Sequence, residues 1–276
     1  MTFEITSLTV QETIMRVFLF FLATLFSLRG AELRVVSLSP ALTELICFLG
    51  KGHLLVGRSD VCTYPADVKK LPVAGRFAIP FTEKVLALKP GLLVSNDLVN
   101  PGVKVNFQRA GIRTLQLPCR NLKEYRKCVE ILGRELDARK AAGEEIRRID
   151  TLQKRKVSPK NLRVLWVVWD TPLMAPGRRS HLHEIIRLTG AENATGEFDQ
   201  EYVRPSFDKL LKKDVDVIIW SASSSGWKQR RVWKKFPAVK NNRVLADFEQ
   251  DSLLRPGPRL KGGIEKLERI LEQWKK

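Results

Sequence analysis

The segment from Arg34 to Gly50, RVVSLSPALTELICFLG, changes its hydrophobic period partway along. A short apolar run opens it, a Ser-Pro pair makes a sharp turn, and a helical stripe then runs to a glycine stop. The same plan returns far down the chain as RVLWVVWDTP followed by HLHEIIRLTG. ELICFLG (Glu44–Gly50) aligns with EIIRLTG (Glu184–Gly190), and PFTEKVLALKPGLLV (Pro80–Val94) aligns with PSFDKLLKKDVDVII (Pro205–Ile219). In both members of the latter pair a proline opens a short helix, an acid follows three residues on, lysine comes next, and an apolar strand closes the unit. Further strands read as HLLVG and IRTLQLP early and RVLADF late. Strands alternating with helices predict mainly parallel sheets in three-layer α/β/α lobes. The internal repeat predicts two such lobes rather than one long sheet.

Between the repeats, Asn121 to Lys156 contains no proline. Asn121 is a suitable N-cap with Glu124 three residues on, and apolar residues recur at Leu122, Tyr125, Val129, Leu132, Leu136, Ile146, Ile149 and Leu152. This pattern predicts one long, rigid linking helix, with Gly133 and Gly143 as its weak points. The resulting division is a leader over 1–31, an N-terminal lobe over 32–120, the linking helix over 121–158 and a C-terminal lobe over 159–276.

The leader is read from MRVFLFFLATLFSLRGA, residues 15–31. A Met-Arg pair, an apolar run from Val17 to Leu28, and then Gly30 and Ala31 reproduce the order of a cleaved secretory signal. Met15, at the head of this run, is a candidate initiator. The alternative is a retained membrane anchor, although the run is short for a bilayer span. No cysteine ends the run, which argues against a lipid anchor. Export bears on Cys47, Cys62, Cys119 and Cys128, an even set that permits disulfides with three possible connectivities. Their spacings match no zinc pattern, and sequence does not pair them.

At 276 residues and 44% hydrophobic, the chain can bury a substantial core. Its 48 Lys+Arg against 30 Asp+Glu give a formal charge of +18. Such a charge admits nucleic acid, an anionic membrane surface or anionic small molecules as partners. The basic residues are dispersed, and no basic stripe with interleaved aromatics marks a nucleic-acid groove. Catalytic signatures are missing: the sequence holds no GxGxxG, GxxxxGK[ST], GxSxG or HExxH. The His181-x-His183 pair offers too few ligands for a metal cage and reads as a solvent-facing helix start. These features describe a binder rather than an enzyme, with its ligand in the crevice at the carboxyl ends of the strands, between the lobes.

RVVSLSPALTELICFLG, LLVGRSDVCTYP, VLALKPGLLV, PLMAPGRRSHLHEIIRLTGAEN and RPGPRLKGGIEKL together resemble the periplasmic substrate-binding proteins of ABC importers for cobalamin, ferric siderophores and haem. The similarity leans toward the cobalamin-binding type and runs in order from Arg34 to the C-terminus. It implies two lobes joined by a long helix, no cofactor of the protein's own, and a cobalt corrinoid or a ferric chelate as ligand. A chelatase-type enzyme is the alternative in another class. Carried over by position, Phe77 and Tyr202 would face the cleft from opposite lobes and stack on a flat ligand. Asn96, with Asp97 beside it, replaces an aromatic expected after the GLLV strand, and Val61 replaces an expected tyrosine. Pro40 at the Ser-Pro turn, together with Trp169 and Met174, would line the cleft, and Asp251 and Arg255 would supply hydrogen bonds. Phe77 and Trp169 read equally well as core residues. Glu83 and Asp208, equivalent in the repeat, would pair with arginines on a permease dimer in the inner membrane. The expected molecule is a periplasmic monomer.

Overall fold

The computed structural model describes residues 32–275 apart from Val99, Asp247 and Glu249. The leader expected over 1–31 lies outside the described residues. The first half contributes β1 (Val35–Ser37), β2 (Leu55–Ser59), β3 (Val73–Arg76), β4 (Ile79–Pro80), β5 (Leu92–Ser95) and β6 (Arg113–Gln116). They form one sheet in the order β4-β3-β2-β1-β5-β6, parallel throughout except for the antiparallel β3–β4 edge. Alternation along β1 explains the layering. Val35 packs into a core with Leu42, Leu45 and Ile46 of helix α1 (Pro40–Phe48). Val36 packs on the other face with Val85 of α2 (Thr82–Ala87) and Phe107 of α3 (Pro101–Arg109).

The segment predicted as one linking helix is two. Helix α4 (Leu122–Glu135) ends at Leu136, and α5 (Arg139–Lys154) begins after Asp137 turns with φ +49°. The pairs Gly133–Ala142, Tyr125–Glu145 and Arg126–Asp150 lie progressively farther from that turn, so the helices run antiparallel. A Cβ on Gly133 would meet the Ala142 Cβ at 2.4 Å, so this glycine allows the close approach instead of weakening a spine. The apolar positions from 122 to 152 are real, but they serve two facing stripes. The Asn121 cap also forms: its side chain accepts from the Glu124 amide at 2.9 Å.

The second half adds β7 (Arg163–Val167), β8 (Trp169–Asp170), β9 (Leu173–Pro176), β10 (Glu192–Asn193), β11 (Tyr202–Val203), β12 (Val217–Trp220) and β13 (Val244–Leu245). A parallel sheet runs β10-β7-β12-β13, and a small antiparallel sheet runs β11-β9-β8. Val164, Trp166, Val217 and Ile219 face Leu182, Ile185 and Ile186 of α6 (His181–Leu188). On the other face Leu165, Val167, Ile218 and Trp220 meet Leu210 of α7 (Phe207–Leu211) together with Trp233 and Phe236. Two single turns, α8 (Gly226–Gln229) and α9 (Pro237–Lys240), precede the C-terminal helix α10 (Leu260–Glu272). Ile264, Leu267 and Leu271 of α10, Ile149 and Leu152 of α5, and Leu45 of α1 belong to one buried cluster. The inner layers of both halves therefore share a continuous core, which resists independent movement. No helix among the described residues is long and apolar enough to cross a membrane.

Candidate functional site

Every parallel strand of both sheets ends on the same kind of edge, and most of the residues predicted for the site lie in the loops beyond those ends. Ser39 follows β1 and caps α1 in extended backbone, its hydroxyl facing the Leu42 amide. Pro40 takes the first helical position, where its fixed φ suits the turn and its missing N–H costs nothing. It is buried, so it shapes the loop and offers little open surface. The Ser39 hydroxyl also donates to the Asn96 side chain beyond β5, tying two adjacent strand ends together. Asp97 is exposed, and its carboxylate accepts from the Leu98 amide at 2.8 Å and from Gln116 Nε2 at 3.4 Å.

Apolar side chains collect at these ends without being covered. Val61 and Tyr64 after β2 are each 46% exposed, and Phe77 after β3 is 48% exposed. Trp169, beyond β7, is 52% exposed on the β8–β9 hairpin, opposite half-buried Met174. The core-packing reading of Phe77 and Trp169 is thereby excluded. Trp169 Nε1 donates to the Thr171 carbonyl at 3.0 Å, which holds the ring on its own turn. Tyr202, on β11 opposite Pro176, is more enclosed: it packs on the shared core and its hydroxyl meets Ser180. Burial pushes its phenol above the ordinary tyrosine value.

Asp251 and Arg255 form an ion pair. Arg255 bonds Asp251 at 2.9 Å and Glu44 of α1 at 3.2 Å, while Arg259 bonds Asp251 at 2.8 Å and Glu44 twice at 2.8 Å. In this structure both side chains take part in an ion cluster that joins the two halves, and the Asp251 side chain is still 48% exposed. Neighbouring acids hold Arg259 above the ordinary arginine value, led by the Glu44 hydrogen bond. The Arg259 guanidinium lies 4.1 Å from the centre of the Tyr64 ring, a cation–π contact beside open apolar surface. Glu44, Arg259 and Tyr64 escaped the sequence reading. The signals available were an acid inside an otherwise apolar helix and an aromatic in CTYP just past a strand.

The histidines correct an expectation. His181 is buried rather than solvent-facing, and its Nε2 lies 3.1 Å from the Leu253 carbonyl. Burial lowers its pKa to about 4. His183 is half-buried and contacts Asn193 Nδ2 at 3.2 Å. Among the described residues no group of three His, Cys, Asp or Glu side chains is placed to hold a metal ion. A groove of about 660 Å³, lined by Leu162 and Ala191 as well as Asn161, Arg187, Glu192 and Lys213, lies at the amino ends of β7, β10 and β12. Glu83 and Asp208 are both exposed in the first turns of α2 and α7.

Among known proteins, the chain is 27% identical over 248 residues to the ABC transporter substrate-binding lipoprotein YvrC of Bacillus subtilis, covering 85% of this chain and 78% of that one. It is 26% identical to the vitamin B12-binding protein of Vibrio cholerae, over 91% of this chain and 93% of the other. The periplasmic haem-binding protein BhuT, solved with two haems, superposes with a TM-score of 0.75 at 25% identity, covering 87% of this chain and 98% of its own. The described architecture is thus the mixed α/β, two-lobed fold of these receptors. A family model described as "Periplasmic binding protein" matches residues 35–249, and the chain belongs to that family.

Proposed function

We propose that the protein is an exported receptor that captures a corrinoid between its lobes and delivers it to the permease dimer of an ABC importer. The observation that carries this reading is the set of uncovered apolar side chains at the strand ends of both halves: Val61, Tyr64 and Phe77 on one, Trp169 on the other. Isolated exposed apolar residues are ordinary, but their collection on the edge where α/β sheets hold ligands marks a binding surface. Flat rings suit the broad, partly apolar face of a tetrapyrrole-like ligand. The extensive similarity to a vitamin B12-binding protein supports a corrinoid. On this reading residues 1–31 are removed on export to the periplasm, the receptor acts as a monomer without a cofactor, and Glu83 and Asp208 meet the two permease subunits.

A second reading is haem or another ferric chelate. It is favoured by the likeness to a haem receptor. Titration of the mature protein with cyanocobalamin and, separately, hemin, followed by visible difference spectra and calorimetry, tests both. Saturable cyanocobalamin binding with no hemin response supports the corrinoid; the reverse supports haem. Failure of both, together with no chromophore on protein isolated from its native cells, would remove the tetrapyrrole reading.

A further inference from the structure

Two thiols beneath the lobe boundary are placed for chemistry that ligand capture does not use. Cys119 lies in the loop between β6 and α4, and Cys128 lies in the second turn of α4. Both are buried, at 4% and 1% exposure, and both are free thiols. Cys128 Sγ lies 3.3 Å from the Pro118 carbonyl oxygen and 3.8 Å from that of Leu117. The Pro118 carbonyl carbon is bonded to the Cys119 nitrogen, so Cys128 sits against the backbone from which the Cys119 side chain projects. Cys128 is also the leading influence on the Cys119 thiol. Cys119 also reaches across the molecule: its Sγ donates to the Pro256 carbonyl at 3.8 Å, in the loop that carries Arg255 and Arg259.

We propose that Cys119 and Cys128 are an oxidisable pair that closes into an intramolecular disulfide, and that closure releases the Pro256 carbonyl. The Cys119 hydrogen bond to Pro256 exists only while the sulfur carries a proton. The oxidant is a protein or glutathione disulfide. Local opening of the loop that carries Cys119 exposes one thiol, which loses its proton to water, and its thiolate attacks the incoming disulfide. The first leaving thiolate departs and takes up a proton. The second cysteine, deprotonated in turn, displaces the remaining sulfur from the mixed disulfide. The new S–S bond replaces two S–H bonds, and the two electrons reside in the reduced oxidant. Cys128, reinforced by burial, pushes the Cys119 thiol well above its ordinary value. Thiolate is therefore scarce near neutral pH, and closure should accelerate as the pH rises.

The other two cysteines differ in their surroundings. Cys62 is surrounded by the hydroxyls of Thr43 and Ser59, and the half-buried Cys47, raised to about 11 chiefly by burial, lies against Gly52.

The test uses the full mature chain equilibrated with oxidised and reduced glutathione, followed by alkylation in denaturant, intact mass measurement and peptide mapping. The expected result is a Cys119–Cys128 crosslinked peptide with Cys47 and Cys62 alkylated, formed faster at pH 9 than at pH 7 and absent from Cys128→Ser. Hydrogen exchange across residues 252–263 should quicken in the oxidised protein. Alkylation of both Cys119 and Cys128 after oxidation, or any other pairing, overturns the assignment. A correctly mapped crosslink with unchanged exchange over 252–263 overturns the release of Pro256. The experiment involves no ligand and stands or falls independently of the corrinoid reading.

Discussion

Arg259, the N-cap residue of α10, grips Glu44 of α1 with paired bonds, Nε to Oε2 and Nη2 to Oε1, each 2.8 Å long. The two residues are 215 positions apart, and the Glu44 side chain is 5% exposed. Their pairing therefore joins the N-terminal lobe to the last helix of the chain, close to the exposed Tyr64. A buried carboxylate that loses its partner retains its desolvation cost.

Arg259→Ala should destabilise the protein by about 3 kcal/mol, because Arg255 remains within 3.2 Å and offsets part of the loss. Arg259→Lys should recover only part of this, since an ammonium cannot reproduce the paired geometry. Urea unfolding checks both. An Arg259→Ala midpoint equal to that of the wild type would show that the pair contributes nothing.

His181 makes stability depend on pH. Its folded pKa is depressed to about 4 from 6.5, mainly by burial, so the folded state favours the neutral ring. The contribution is full above about pH 6.5, falls as the pH drops through the window, and is lost below about pH 4; the whole gap is worth about 3 kcal/mol. His181→Gln should flatten this part of the profile. Urea midpoints between pH 4 and 7 for the two proteins give the answer, and parallel curves would count against it.

The aromatic residues should separate into two classes. Phe77 and Trp169 are about half exposed, so Phe77→Ala and Trp169→Ala should leave melting nearly unchanged while weakening ligand binding by about 1–3 kcal/mol each. Tyr202 packs on the core and bonds Ser180, so Tyr202→Ala should lower the melting temperature as well. Tyr202→Phe is the cleaner probe, since it removes the hydroxyl but keeps the ring. Calorimetric titration beside thermal melts distinguishes the classes, and unaltered affinity in all of the variants would place the ligand elsewhere.

Periodicity made the fold legible because each strand of the repeat buries alternate residues against different helices, as Val35 and Val36 do. It failed at residues 136–138. There the apolar spacing continued through Leu136, and the turn depends on Asp137 adopting positive φ, for which the sequence carries no glycine signal. At the site, the loops could be located from the strand ends, but the partners could not. Whether Arg255 serves a ligand or Glu44 depends on a contact between residues 211 positions apart. His181 was misread for a related reason: its burial comes from the Leu253 loop, not from its own helix.

Glu83 and Asp208 set the final expectation. Each occupies the first turn of a short helix three residues after a proline, and each is exposed. Ser206 caps α7 through the Lys209 amide, whereas α2 begins at Phe81 with no side-chain cap. Negative charge at these positions complements the helix N-terminus, worth about 0.3–1 kcal/mol for an exposed group, so reversal to lysine should cost little stability. The two acids are local negative points on a chain of formal charge +18, and charge placed this way directs orientation more than affinity. Neither is among the residues proposed to hold the ligand, so the double variant Glu83→Lys, Asp208→Lys should bind ligand normally. Permease-dependent uptake should fall to background, with Asp208→Lys alone the milder defect because its side chain is shorter. Transport into vesicles carrying the cognate permease, with ligand affinity measured in parallel, separates docking from capture. Normal uptake by the double variant would leave both acids as helix-terminal charges and return the repeat to a single role, enclosing the ligand from two sides.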